Sequence, residues 1–201
     1  MGVIMKKVLL LLANGFEMYE ASVFTDVIGW NLVDGDRTTE LITCGINNQV
    51  TSSFNVNIIT DLTISQVKVN DFDALAIPGG FEEYGFYESS YQEAFLQIIR
   101  EFYEKNKIIA SICVGALPLG RSGILKGKRA TTYNLKNGIR QDTLRGYGAN
   151  VINEPIVIDG NIITSWNPST GMDVAFKLLE LLTSKEQANY IRTIMGFTAC
   201  R

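Results

Sequence analysis

Apolar runs alternate with longer amphipathic stretches along almost the whole of this 201-residue chain. Lys7–Leu12, Glu40–Cys44, Asp73–Ile77 and Lys107–Ile112 read as buried strands. Between them, Tyr19–Leu32 and Tyr91–Tyr103 carry apolar residues at helical spacing. Gly171–Leu182 and Lys185–Met195 read as two closing helices. Such an alternation restricts the chain to an α/β architecture, because parallel strands need helical crossovers. The expectation is a three-layer sandwich, a mostly parallel sheet with helices on both faces. Glu154–Ile158 and Asn161–Ser165 flank Asp159-Gly160, a two-residue hairpin signal that predicts an antiparallel edge. Val50–Thr60 reads as a further short hairpin, Arg129–Thr132 as a short strand and Asn137–Leu144 as a short helix. With no linker or repeat, residues 1–201 read as one domain.

Composition removes several function classes. The net charge is −3 and the basic residues are scattered, so nucleic acid is not an expected partner. Lys6-Lys7 followed by the apolar run Val8–Ala13 is too short for a signal peptide, which needs ~7–15 apolar residues. Nothing approaches the ~18 apolar residues of a membrane span. A cytoplasmic protein without a membrane partner is the expectation. Cys44, Cys113 and Cys200 are widely spaced and odd in number, which speaks against a disulfide framework or a zinc site. Cys44 reads as a core residue and Cys200 as an exposed tail thiol. No metal and no cofactor is expected.

The chemistry-bearing residues gather at predicted strand ends. Cys113 follows the strand Lys107–Ile112 and precedes a helix-like stretch containing Gly115, the layout of a nucleophile elbow. A helix start beside the sulfur favours thiolate. Yet the chain contains no histidine, so no Cys–His dyad or triad can form within it. Pro78-Gly79-Gly80 ends another strand and permits close backbone approach. Taken singly, each feature has a plain alternative. On its own Cys113 reads first as a buried inert thiol, because free cysteine is among the most buried residue types, Glu20 as a solvated helix-start carboxylate, and the glycines as a strand-exit turn. Gly15-Phe16-Glu17 and Gly80-Phe81-Glu82 form a local echo after two of the strands, and Glu17 and Glu82 read as turn charges.

Together the motifs resemble the ThiJ/PfpI superfamily, within the class I glutamine amidotransferase-like group. The resemblance rests on Ala13-Asn-Gly-Phe-Glu-Met-Tyr-Glu20, Asp73–Gly80, Ala110-Ser-Ile-Cys-Val-Gly-Ala116, Lys128–Tyr133 and Ile163–Thr170. It covers nearly the whole chain and implies a flavodoxin-like fold. It implies Cys113 as reactive cysteine and Glu20 as a protonated carboxyl beside it. The N–H groups of Gly80 and Val114 would then serve as an oxyanion or sulfinate site, and the Gly79-Gly80 pair, read from the residues alone, also offers N–H groups to an oxyanion. Tyr133 stands where the family often has histidine, and Val114 where protease-like members have one. Tyr133 reads as pocket wall or as core aromatic, and a phenol of reference pKa about 10 is a poor base near neutrality. Trp166 and Asn167 are candidate pocket residues.

Two functions follow from this reading. One is a cysteine-dependent enzyme for small carbonyl or amide compounds, of hydrolase, lyase, glyoxalase or deglycase type, with Glu20 relaying a proton. The other is an oxidative-stress sensor or protein-protective module working through Cys113 oxidation. Peptidase activity is not expected without histidine. Family analogy implies a homodimer, with Trp30, Phe54, Phe86 and Tyr87 as candidate interface aromatics.

Overall fold

The computed structural model describes residues 5–197, so Cys200 and the leading Met1–Ile4 lie outside the described residues. The elements in chain order begin with β1 (Lys6–Leu12), α1 (Met18–Asp34), β2 (Thr39–Gly45), β3 (Gln49–Thr51), β4 (Asn57–Ile59) and β5 (Leu62–Thr63). Next come β6 (Ala74–Ile77), α2 (Phe86–Ser90), α3 (Glu93–Glu104), β7 (Ile108–Ser111) and α4 (Ala116–Ser122). The chain continues through β8 (Arg129–Ala130), α5 (Ile139–Gly146), β9 (Asn150–Val151), β10 (Ile156–Asp159), β11 (Ile162–Ser165), α6 (Gly171–Leu182) and α7 (Lys185–Ile194).

Seven strands form the main sheet in the order β10-β11-β7-β6-β1-β2-β5. Every neighbouring pair is parallel except β10 with β11. Strand β1 is an interior strand, and its Val8–Leu12 run is buried throughout because helices cover both sides of it. Helices α1, α6 and α7 pack together on one face, and α3, α4 and α5 on the other. Helix α3 presents Phe95, Leu96, Ile98, Ile99 and Phe102 to the core, which is the apolar stripe visible in the sequence. The expected α/β sandwich with an antiparallel edge is the observed one.

Three details differ from the sequence expectation. The edge hairpin pairs Asp159 with Ile162, so the turn residues are Gly160 and Asn161, one position later than the Asp-Gly pair. Gly160 adopts φ 62°, which places glycine at the first central position, as a II′ turn prefers. Tyr91 does not start α3; it closes the short helix α2, which the sequence pattern missed, and α3 begins two residues later. Strand β8 stays outside the main sheet and pairs with β9. Beyond it, the Thr131 N–H donates to the Thr164 hydroxyl at 2.9 Å, a side chain standing in for a strand partner.

Among the candidate interface aromatics, Phe86 is buried in the core and Tyr87 is half-buried. Phe54 is 64% exposed at the tip of the β3–β4 hairpin, its ring against Phe81 and Tyr84. Trp30 is also exposed.

Candidate active site

Parallel strands β1, β6 and β7 are neighbours, so their C-terminal ends lie side by side at one sheet edge, where α/β proteins place ligands. Three chain exits meet there. The first two are the echo in the sequence, and the fold stitches them together. Phe16 and Gly80 form an isolated antiparallel bridge. The Phe81 N–H donates to the Gly15 carbonyl at 2.9 Å, and the Glu17 N–H to the Gly79 carbonyl at 2.8 Å. A side chain on Gly80 would put its Cβ 2.2 Å from the Gly15 carbonyl oxygen, so only glycine fits.

The third exit carries Cys113. Its backbone adopts φ 57°, an unusual left-handed conformation for a residue with a side chain. Residues Cys113–Gly115 make a 3₁₀ turn that leads into α4, with the Gly115 N–H bonded to the Ile112 carbonyl at 2.9 Å. Pro118 falls in the first turn of α4, where its missing N–H costs no intrahelical bond. The Thr132 hydroxyl donates to the Cys113 carbonyl at 2.8 Å and ties the elbow to the segment after β8. The nucleophile-elbow geometry expected at Cys113 is therefore present, strain included.

Glu20 stands in the first turn of α1 and is completely buried. Its Oε2 accepts from the Gly79 N–H at 2.6 Å. The other oxygen, Oε1, has no hydrogen-bond partner of good geometry among the described residues. Oε2 and the Cys113 Cβ both lie about 3 Å from the point where a Gly79 Cβ would be, which makes the carboxyl and the cysteine direct neighbours. Burial, helped by the nearby Glu17, raises the Glu20 pKa from 4.5 to about 8, against the lowering effect of the Gly79 N–H and of Cys113. Glu20 is thus a carboxylic acid at neutral pH.

Cys113 departs from the low-pKa thiolate that its elbow position suggests. It is only 6% exposed, and burial pushes its pKa well up. The Val114 N–H works in the other direction and does not offset the lost hydration. A helix start is a weak fixed charge, whereas removal of water from a thiolate acts at full strength. Cys44 is likewise buried, its pKa pushed up to about 12 by desolvation.

Cys113 forms part of the wall of a cavity of about 700 Å³, a volume suited to a small-molecule ligand. Phe81, Tyr87, Tyr133, Leu135 and Ile139 supply its apolar surface. Glu17, Glu82, Glu83, Lys136 and Arg140 bring charge to it. Arg140 is held between Glu82, at 2.8 Å, and the face of the Tyr87 ring, 4.9 Å from its centroid. Burial raises the Tyr87 pKa, so that phenol stays protonated.

The sequence-derived residues divide accordingly. Cys113, Gly80, Val114 and Tyr133 line the cavity. Glu20 lies behind Cys113 rather than on the cavity wall. Gly79 sits beside both, but its N–H is committed to Glu20 and is not available to an oxyanion. Trp166 does not line the cavity; the next residue, Asn167, does. The Trp166 side chain is half-buried and its Nε1 has no partner among the described residues. Sequence reasoning passed over Arg140 and Tyr87 as site residues, because they arrive from α5 and α2 through tertiary packing alone. Glu17 carried a usable signal, three residues before Glu20 and next to the glycine turn.

A carboxylic acid, a thiol on a left-handed elbow and a ligand-sized cavity at the C-terminal edge of a doubly wound sheet define a class of cysteine-centred α/β proteins. The profile of the DJ-1/PfpI family matches residues 6–181, and the chain belongs to that family. It is 30% identical over 162 residues to the deglycase PfpI of Pyrococcus furiosus, covering 81% of this chain and 90% of that one. An uncharacterised protein of Methanocaldococcus jannaschii is 32% identical over 132 residues, 65% of this chain and 62% of its own length. The crystal structure of Drosophila melanogaster DJ-1beta superimposes with a TM-score of 0.84 at 26% identity, covering 98% of this chain and 100% of that one. No group of three or more histidine, cysteine or acidic residues is placed to hold a metal among the described residues. No helix among them is long and apolar enough to cross a membrane.

Proposed function

We propose that this chain, read as one functional unit over residues 1–201, is a cysteine-dependent enzyme acting on small carbonyl compounds. The observation that carries this reading is the thiol of Cys113, fixed on a strained elbow at the wall of a ligand-sized cavity with a neutral carboxyl behind it. Cys113 attacks the carbonyl carbon. The N–H groups of Gly80 and Val114 face the oxygen that gains charge. Glu20 keeps its proton and steadies the sulfur. The kinship with a deglycase supports carbonyl chemistry. A 2-oxoaldehyde incubated with wild type and with Cys113→Ser tests the reading. Consumption that depends on Cys113 is expected, and equal consumption by both proteins would overturn it.

The absence of histidine favours a second reading, oxidative sensing or protein protection through Cys113. One peroxide converts the thiol to sulfenic acid and water, and a second gives the sulfinic acid. Gly80, Val114 and neutral Glu20 would meet the added oxygens. One related structure is of an oxidised DJ-1 from Toxoplasma gondii. Intact mass after dilute peroxide, with Cys113→Ser as control, tests this. A mass gain of two oxygens that the variant lacks is expected.

We also infer a homodimer working in the cytoplasm on a small-molecule substrate. The exposed aromatic group of Phe54 and Tyr84 supports a self-contact. Light scattering over a dilution series checks it, and a monomer at micromolar concentration would refute it.

A further inference from the structure

The cavity is far larger than the reacting part of a small carbonyl compound. A three-carbon 2-oxoaldehyde fills the space of a few waters, roughly 90 Å³. The cavity offers about 700 Å³. Two of the residues that line it, Leu135 and Ile139, are 55% and 58% exposed. Neither serves the core. Helix α5 buries Gln141 and Leu144, and Ile139 stands off that face in its first position. Leu135 precedes a tight bend, Lys136-Asn137-Gly138, whose φ values of 53°, 61° and 71° are all left-handed. Lys136 and Asn137 carry side chains, so the bend keeps its shape at an energetic cost. Both of its ends are tied to other residues of the cavity wall. Before it, the Asn167 Nδ2 donates to the Asn134 Oδ1 at 3.3 Å. After it, Arg140 pairs with Glu82 at 2.8 Å. A strained bend, anchored on both sides, thus keeps two large apolar side chains in contact with water at the cavity.

We propose that Leu135 and Ile139 form a specificity subsite for an uncharged apolar substituent, an alkyl or aryl chain, carried by the ligand of this cavity. The ligand's head is the carbonyl assigned to Cys113, and in this the subsite rests on the carbonyl-enzyme reading. Phe81 and Tyr133 extend the apolar wall. Charge on the walls favours the same occupant. Glu17, Glu82 and Glu83 outnumber Lys136 and Arg140, and Arg140 is already paired with Glu82. A carboxylate or phosphate tail would meet a net negative wall. A neutral polar tail would leave Leu135 and Ile139 wet. An alkyl chain covers both and gives up only its own unfavourable contact with water.

Each of the two residues has more than half of its surface still to bury. Covering both raises affinity about 10- to 100-fold. The chain is remote from the reacting carbonyl, so it binds equally in the ground state and the transition state. The gain therefore falls on KM and not on kcat.

Methylglyoxal and 2-oxooctanal share a reacting group and differ only in alkyl length. Their kcat and KM test the subsite in wild type, in the double variant Leu135→Ser with Ile139→Ser, and in Leu135→Ile with Ile139→Leu. Wild type should prefer 2-oxooctanal in kcat/KM. In the serine variant that preference should fall by about 10-fold or more, through KM. In the aliphatic variant it should stay within about twofold of wild type. A wild type without the preference, a serine variant that keeps it, or a loss confined to kcat overturns the subsite. So does a change in the serine variant's mass by light scattering, which would assign the two side chains to a self-contact. 1-Hexanol, which has no carbonyl, reports on the subsite alone. Its saturation-transfer NMR signal should be strong with wild type and weak with the serine variant, and equal signals overturn the subsite whatever the turnover. A signal difference without any Cys113-dependent turnover overturns the carbonyl-enzyme reading and leaves the apolar subsite standing.

Discussion

Replacing Glu20 by glutamine should make the protein more stable, and increasingly so as pH rises. Glutamine keeps an oxygen to accept the Gly79 N–H, held at 2.6 Å in the wild type, and it cannot ionise. In the wild type the Glu20 pKa rises from 4.5 to about 8 on folding. A group held in its protonated form contributes its full stabilisation below the unfolded pKa. That contribution is lost as pH rises from the unfolded value to the folded one, because only the unfolded chain ionises in that window. The loss is about 1.4 kcal/mol per pH unit. Across the window it amounts to roughly 5 kcal/mol, a large share of the total stability of an ordinary domain. Urea unfolding at pH 5, 6, 7 and 8 measures it for both proteins. The stability difference between Glu20→Gln and wild type should grow by about 4 kcal/mol from pH 5 to pH 8. A difference that stays flat would show that Glu20 is ionised in the folded protein, and the picture of a neutral acid behind the sulfur would fail.

Three other outcomes are expected. Gly80→Ala should cost about 3 kcal/mol or more and abolish Cys113-dependent activity, since the new Cβ meets the Gly15 carbonyl at 2.2 Å and the Phe86 ring at 2.4 Å; thermal unfolding and turnover check both. Thr132→Val should cost about 1–2 kcal/mol in urea unfolding, because it removes the 2.8 Å bond to the buried Cys113 carbonyl. Cys113 should alkylate slowly at pH 7 and faster as pH rises past 9, following its raised pKa; a fast pH-independent reaction at neutrality would contradict the burial argument.

The strand-and-helix order was legible because each element carries its own periodicity, as the β1 run and the α3 stripe show. The elbow at Cys113 and the glycines at residues 79 and 80 were legible for a related reason: sharp turns between regular elements leave local residue signatures. What was not legible is the inward or outward fate of neighbours. Glu17 and Glu20 are chemically identical and one helical turn apart, and only the packing of the Gly79 turn and Cys113 over Glu20 decides that it is sealed while Glu17 stays half-buried. The state of Cys113 was misjudged on the same ground. A helix start is visible in sequence, and the depth of the thiol beneath Gly79 and Gly80 is not. Arg140 and Tyr87 lie 53 residues apart in the chain and meet only in the folded cavity.

Gly79 engages both carboxyls with one residue. Its N–H holds the Glu20 side chain and its carbonyl holds the Glu17 backbone. Any shift of this residue moves the buried acid and the half-buried one in concert. Engineering that aims to slide one carboxyl relative to the sulfur by remodelling the β6 exit loop will drag the other along. Retuning by side-chain length, aspartate for glutamate at one position at a time, leaves that shared residue in place and moves one carboxyl without the other.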